Sequence, residues 1–429
     1  MSPKRAPFLL GFWLVGTRVF SFLIVALSRY AHSKMGGTPE RFSERLGKYR
    51  THEKAEVIWF HAASLGEVMQ IGPLASDLFQ SEQTDILVTT TTVTGANWVA
   101  REMPYASHRF IPIDTPAAVR RYLDKWTFTA AIFIEGDLGP RLVTELHKRN
   151  IPQILLNARH SRTRGRFPEV FATLLASFCL ITCRSKTVMD DLRKLGLPND
   201  RLYELPDLRL SLPKLRADPS ITKALLQTFG VRTVWLAASV HPADDQGVLK
   251  AHLEVLHTFP EALLILAPRH PRRGDHLRKL AVSKGLDVAQ RSLGERILDS
   301  TRVYIADTLG ELGGFFSTCP IAFMGGSFGS EGGHNPYEPA NFNTALLYGP
   351  NVNNFEDAYM ALKKAGAATQ IQDPAQLGIT LVDLMRSDRV ETMARAGLDF
   401  MEDSQNCLSR YTYLIKAVLE NPKGTDKLD

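Results

Sequence analysis

From Val57 onward, short apolar runs alternate with stretches whose apolar residues recur every three or four positions. The runs Val57–His61, Asp85–Thr90, Arg109–Ile113, Ala130–Ile134 and Gln153–Asn157 predict strands, and Pro116–Lys125 and Arg141–Arg149 between them predict helices. Strands separated by helices pair in parallel, because a parallel connection needs a crossover, and a parallel sheet is covered on both faces. The rhythm restarts at Thr233–Ala238 and continues through Ala262–Pro268, Arg302–Ala306 and Pro320–Met324. Between the two series, over Leu205–Pro219, the prolines Pro206, Pro213 and Pro219 break the pattern. The expectation is an α/β chain of two doubly wound, Rossmann-like units facing a cleft: residues 36–210, then residues 211–429 with a C-terminal helix. Ligands of such sheets bind beyond the carboxyl ends of the strands, so function is expected in the residues that follow each strand.

The first 35 residues stand apart. Pro7 to Leu27, reading PFLLGFWLVGTRVFSFLIVAL, are long and apolar enough to cross a bilayer and follow Lys4 and Arg5. A cleaved signal peptide would have a shorter apolar region and a small-residue cleavage site, which Ser28-Arg29-Tyr30 does not supply. Arg18 lies in the middle of the segment and is costly in hydrocarbon, which favours an oblique or interfacial helix over a clean span. The segment reads as a membrane anchor, with a buried helix of the first unit as the competing reading.

Composition narrows the field further. A chain of 429 residues with 44% hydrophobic and 22% charged residues is neither disordered nor polytopic. The net charge of +6 suits an anionic membrane surface, a phosphorylated ligand or nucleic acid without choosing among them. Cys179, Cys183, Cys319 and Cys407 form no CxxC pair and read as reduced core thiols. With neither HExxH nor GxxxxGK[ST] in the chain, a structural metal and a Walker-type ATPase are not expected.

The residues after the strands carry the candidate chemistry. Ala62-Ala63-Ser64-Leu65-Gly66-Glu67 is a small-residue turn that delivers Glu67 to the first turn of the next helix. The helix dipole favours a carboxylate there, and the same position suits a general base; spacing alone leaves both open. Asn157-Ala158-Arg159-His160-Ser161-Arg162, continuing through Arg164 and Arg166, faces either an anionic acceptor or water. In the second series, Arg269 and His270 leave their strand in a cationic group, and an arginine fork can hold a nucleotide phosphate. Asp307-Thr308-Leu309-Gly310-Glu311 predicts a helix start, with Asp307 as the cap and Glu311 reaching back. Gly325-Gly326-Ser327-Phe328-Gly329-Ser330-Glu331-Gly332-Gly333-His334-Asn335-Pro336-Tyr337-Glu338 packs five glycines into nine residues. It lacks the G-x-G-x-x-G spacing of dinucleotide sites, and composition leaves open an amide cradle for phosphate with Glu338 accepting from ribose hydroxyls.

Taken together these motifs resemble one family, the 3-deoxy-D-manno-octulosonic acid (Kdo) transferases of Gram-negative lipopolysaccharide synthesis. The resemblance rests on Trp59 to Glu67, Pro112 to Pro116, Asn157 to Ser161, Ala267 to Pro271, Asp307 to Leu312, Gly325 to Ser327 with Gly332 to Pro339, and Gly349-Pro350-Asn351 with Asn354-Phe355, all in family order. It implies the GT-B glycosyltransferase architecture, with the acceptor on the N-terminal half and the donor, CMP-Kdo, on the C-terminal half. It implies Glu67 as the catalytic base, and Arg269, His270, Gly310, Glu311, Gly325, Gly326, Ser327, Asn335 and Glu338 around the donor. Ser64, Gly66, Glu135, Arg159 and Ser161 are the acceptor-side candidates. It further implies transfer without a metal or other cofactor, a lipid A precursor as acceptor, no nucleic-acid partner, and a place on the cytoplasmic face of the inner membrane. Three segments differ from the family pattern. Glu135 to Pro140 stands where Glu-Thr-Glu-x-Trp-Pro is usual, Pro206 to Arg209 where Gly-Asn-Leu-Lys is usual, and His241 to Asp244 where His-x-Gly-Glu is usual. They keep open a divergent paralogue that moves another CMP-linked ulosonic acid or uses another acceptor.

Overall fold

Two seven-stranded, wholly parallel sheets form the centres of the computed structural model, which describes residues 8–50, 56–136, 138–404 and 406–421. Lys4, Arg5 and Pro7 of the apolar segment, and Asp137, lie outside these residues. The first sheet comprises β1 (Glu56–Ala62), β2 (Asp85–Thr90), β3 (Ser107–Phe110), β4 (Thr127–Ile134), β5 (Gln153–Ala158), β6 (Leu180–Cys183) and β7 (Leu202–Glu204). Its order is β3-β2-β1-β4-β5-β6-β7. The second comprises β8 (Val234–Val240), β9 (Leu263–Pro268), β10 (Val288–Gln290), β11 (Val303–Ile305), β12 (Ile321–Met324), β13 (Ala345–Tyr348) and β14 (Ala368–Gln370). Its order is β10-β11-β9-β8-β12-β13-β14. Each order reverses beside its first strand, at β1/β4 and at β8/β12. A crevice opens at such a reversal because the flanking connections leave on opposite faces.

The predicted strands are present in both series, with one displaced: the sheet takes Ser107–Phe110 rather than Arg109–Ile113, and Pro112 lies beyond it. The central strands are buried on both sides, so each apolar run feeds two cores. Val57, Trp59, Ala131 and Phe133 face one layer of helices, while Ile58, Phe60, Ile132 and Ile134 face the other. In the second sheet Trp235, Ala237, Leu264, Leu266 and Phe323 form part of a third cluster.

The chain divides into two compact units, residues 1–212 together with 406–429, and residues 213–405. The last helix, Cys407–Glu420, therefore belongs to the first unit and not to the second, where the sequence pattern assigns it. Its apolar face, Tyr411, Leu414, Ile415 and Val418, lies in the core beside helix Leu65–Glu82. Polar contacts hold it there: Thr412 Oγ1 donates to Asp77 at 2.7 Å, Lys416 pairs with Glu82 at 2.9 Å, and Tyr411 donates to the Pro206 carbonyl at 3.0 Å.

The apolar N-terminal segment is two helices rather than one. Phe8–Val19 and Ser21–Lys34 meet at Phe20 with a bend of 79°. At 1.5 Å per residue they reach about 18 and 21 Å, short of the ~30 Å hydrocarbon core of a bilayer. Nor is the segment detached from the first unit. Leu10 is buried with Val57 and Trp59, Trp13 donates to Asp114 at 2.9 Å, and Arg141 donates to the Leu14 carbonyl and Thr17 hydroxyl. The outer face keeps Phe8, Phe12, Phe20, Phe22, Leu23 and Leu27 exposed.

Candidate active site

In the first unit the turn after β1 builds a capping box. Ser64 Oγ accepts from the Glu67 amide at 3.4 Å, while the Glu67 carboxylate accepts from the Ala63 amide at 2.7 Å and from Ser64 Oγ at 3.2 Å. Glu67 is half-buried at the start of helix Leu65–Glu82, with Leu65 and Gly66 exposed before it. A Cβ on Gly66 would meet only the Ser64 hydroxyl, at 4.0 Å, so protein packing does not demand glycine there. Both sequence readings of Glu67 are thus compatible with its position: it caps the helix, and it is presented at the carboxyl end of the central strand.

Across the β1/β4 reversal, Glu135 follows β4 with φ +57°, a left-handed backbone that a glutamate adopts only when its surroundings hold it. Its carboxylate is buried and fully engaged, by Gln70 Nε2 at 3.0 Å, Arg209 Nη2 at 2.6 Å and Arg159 Nε at 3.0 Å. Burial alone would raise its pKa; Arg209, Gln70 and Arg159 outweigh this and hold it below the usual carboxylate range. Asn157, at φ +56° where the β5 register slips, donates to Gln70 Oε1 and Asp207 Oδ1, both at 2.9 Å. Thus Glu135–Pro140 and Pro206–Arg209, two segments that differ from the family pattern, meet in one buried network through the Glu135–Arg209 pair. Gln70 and Arg209 were not singled out as site residues from sequence; the only signal was charge inside the proline-bounded segment 206–213. Ser161 is the cap of helix Arg162–Arg166, accepting from the Arg164 amide at 3.2 Å.

In the second unit the glycine-rich stretch follows β12 as predicted, but the protein itself fills it. The buried Asp244 carboxylate accepts from the amides of Gly326 at 2.7 Å, Phe328 at 3.2 Å and His241 at 2.8 Å. The Gly325 amide donates to Ala238, and the Ser327 hydroxyl bridges the Met324 carbonyl and the Gly349 amide. Two of the three amides expected to cradle phosphate at Gly325–Ser327 are therefore taken within the fold, that of Gly325 by the Ala238 carbonyl and that of Gly326 by the Asp244 carboxyl. The glycines are set by close packing: a Cβ on Gly325 would lie 2.7 Å from Ser239 O and Val240 Cα, and one on Gly326 3.2 Å from the His241 and His334 rings.

Around this turn stand the other donor-side candidates. Arg269 and His270 are exposed after β9. His241 and His334 stack with centroids 5.2 Å apart and Nε2 atoms 2.9 Å apart, and His270 meets His241 edge-on at 5.9 Å. The Nε2 contact needs one donor and one acceptor, so one proton lies between these two nitrogens; burial lowers both imidazoles, His334 to about 4. Asn335 holds Glu338, whose pKa burial raises to about 7 while Asn335 and Arg269 oppose it.

The helix start predicted at Asp307 is not formed. Asp307 is buried and instead accepts from Ser292 N at 3.0 Å, Ser292 Oγ at 2.7 Å and Gln290 Nε2 at 2.8 Å, tying down the segment after β10, and the helix begins only at Leu312. Glu311 accepts from both Arg291 and Thr308, whose bonds hold it below the usual carboxylate range. Gly310, at φ +85° with open space around its α-carbon, is the member of this loop a ligand can approach.

These shifts predict a pH signature. Glu338, raised in the fold, contributes stability below about pH 4.5 that is lost as pH rises through about 7; His334, lowered to about 4, contributes stability above 6.5 that is lost as pH falls toward 4. In Glu338→Gln the first of these opposing slopes disappears. Thermal melts are expected to show the variant gaining on the parent between pH 5 and 7.5, at about 2–4 °C per kcal/mol. A difference that stays flat with pH contradicts the assignment.

Comparisons place this geometry among known proteins. Residues 40–212 match the family model described as 3-Deoxy-D-manno-octulosonic-acid transferase (kdotransferase). A 3-deoxy-D-manno-octulosonic acid transferase of Haemophilus influenzae is 30% identical over 395 residues, covering 89% of this chain and 92% of the relative. One of Rickettsia typhi is 30% identical over 372 residues, covering 85% and 80%. Among solved structures, a glycosyltransferase from Rickettsia africae superposes with a TM-score of 0.59 at 9% identity, covering 86% of this chain and all of that one. The UDP-GlcNAc 2-epimerase of Neisseria meningitidis gives 0.59 at 12% identity, covering 85% and 100%. At such identities the structural likeness speaks for the two-unit GT-B fold alone. With two parallel sheets in GT-B order and near full-length sequence relatives, the chain belongs to the 3-deoxy-D-manno-octulosonic acid transferase family of glycosyltransferases.

Proposed function

We propose that this protein transfers Kdo from CMP-Kdo to a hydroxyl of a lipid A precursor, inverting the anomeric centre in one displacement. The observation that carries this reading is the match to the Haemophilus influenzae transferase over nearly the whole length of both chains. Glu67 takes the proton of the acceptor hydroxyl as its oxygen attacks the anomeric carbon, and the cytidylate leaves with the bonding pair. In a capping box the carboxylate is pre-positioned, so little reorganisation accompanies the proton transfer. Arg269 and His270 meet the charge that develops on the leaving phosphate, while the Gly325 and Gly326 amides are held within the fold. Glu338 and Asn335 receive the nucleoside. The bent pair Phe8–Val19 and Ser21–Lys34 lies in the membrane interface of the cytoplasmic leaflet, its exposed phenylalanines among the acyl chains and the net positive charge drawn to anionic headgroups. Incubating the full chain in lipid with CMP-Kdo and the precursor is expected to yield a glycolipid heavier by whole Kdo residues in mass spectrometry. A product seen only with another CMP-linked sugar or another acceptor replaces this reading with the paralogue.

A further inference from the structure

The capping box around Glu67 is fastened from outside its own loop. Arg45 ends helix Pro39–Arg45 and is 6% exposed. Its Nη2 donates to the Thr91 carbonyl at 2.6 Å and its Nε to His32 Nδ1, on helix Ser21–Lys34, at 3.3 Å. Its backbone carbonyl accepts from the Ile113 amide at 2.9 Å, so main chain and side chain are both fixed. Thr91 opens the loop after β2, the strand paired with β1, and the amides of Thr91 and Thr92 both donate to the Ala63 carbonyl at 3.1 Å. Ala63 gives its own amide to the Glu67 carboxylate at 2.7 Å. An unbroken line of hydrogen bonds thus runs from His32 through Arg45, Thr91 and Ala63 to Glu67.

The point at which this line meets the box gives it leverage. The clamped carbonyl belongs to the peptide between Ala63 and Ser64, the residues whose amide and hydroxyl hold the Glu67 carboxylate. Turning that peptide moves both donors together. A charged donor makes the stronger kind of hydrogen bond, and burial lowers the Arg45 pKa only to about 10, which leaves it charged at neutral pH. The Phe110 ring lies 4.6 Å from the guanidinium and meets His32 edge-on at 4.8 Å, which limits how far either side chain turns. Desolvating a guanidinium costs more than a carbonyl and an imidazole contact return, so stability alone explains the arrangement poorly.

We propose that Arg45 is a positioning residue for the transfer, setting the direction of the Glu67 carboxylate through Thr91 and Ala63. The inference rests on the reading of Glu67 as the base and extends it to a side chain that acts from another helix.

The test compares the full chain with Arg45→Met, which keeps the unbranched stem and removes both donors, at a temperature where melting shows both proteins folded. A displacement of ~1 Å at a reacting group is expected to lower kcat roughly ten- to a hundredfold, with KM for CMP-Kdo unchanged. In the Glu67→Gln background the same change is expected to cost nothing further, because the group it positions is gone; a merely structural residue would cost as much again. Arg45→Lys keeps a cationic donor for the carbonyl and is expected to recover part of kcat. It carries the same comparison if the methionine variant melts below the assay temperature. Parental kcat in folded Arg45→Met overturns the proposal, as does an equal fold-loss in the Glu67→Gln background. If Glu67→Gln itself turns over at the parental rate, the reading of Glu67 as the base fails, and amide exchange still decides the clamp. The Thr91 and Thr92 amides are expected to exchange several-fold faster in Arg45→Met than in the parent, and unchanged exchange shows that Arg45 holds nothing there.

Discussion

Glu67→Gln is expected to keep the fold and lose the reaction. Glutamine serves the third position of a capping box as glutamate does, so an oxygen still accepts from Ala63 and stability stays within about 0.5 kcal/mol. What disappears is the proton acceptor, and loss of a general base costs on the order of 10²–10⁴-fold in kcat. Glu67→Ala removes cap and base together and should in addition lower stability by about 1 kcal/mol. The informative comparison is therefore Gln against Ala in parallel turnover and melting measurements. Near-parental turnover by Glu67→Gln would leave the residue a helix cap and nothing more.

Asp244→Ala is expected to be among the most destabilising single changes in the second unit. The carboxylate is shared by three backbone amides, from His241, Gly326 and Phe328, and a methyl group leaves all three donors without a partner. At ~1–3 kcal/mol for each orphaned buried group, the loss is roughly 3 kcal/mol or more. Asp244→Asn keeps an oxygen but turns an NH₂ toward an amide N–H, so it should fall between parent and alanine. Denaturant melts give the ranking, and donor affinity should follow it, because the same carboxylate sets the shape of the turn that carries His334 to Glu338. Equal stability of parent and alanine variant would mean that the turn holds its shape without Asp244.

Why Asp244 escaped the sequence reading is instructive. Its partners Gly326 and Phe328 lie 82 and 84 residues away, a pairing that no local spacing encodes. The glycine cluster did signal close approach to the backbone; what it does not carry is the identity of the approaching group, here the chain's own carboxylate, imidazoles and β8 backbone. Long runs such as Val57–His61 and Asp85–Thr90 were legible because continuous burial over five or six residues leaves a clear mark. The short strands Leu180–Cys183, Leu202–Glu204, Val288–Gln290, Ala345–Tyr348 and Ala368–Gln370 have too few positions to show a period, and sheet neighbours create them. The bend at Phe20 has no glycine or proline to announce it. Arg164 is one of four arginines in eight residues, and only the phase of a five-residue helix decides which of them is buried.

The return of helix Cys407–Glu420 to the first unit sets an order of events during synthesis. Residues 213–405 are an insertion within the unit that begins the chain, and they are complete before that unit has its last element. Domains fold largely as units while the ribosome elongates the chain. The second unit is thus ready to close first, while the first waits with the apolar surface beside helix Leu65–Glu82 uncovered until Tyr411, Leu414 and Val418 emerge. A nonsense codon shortly before Cys407 would therefore damage the half of the protein made earliest.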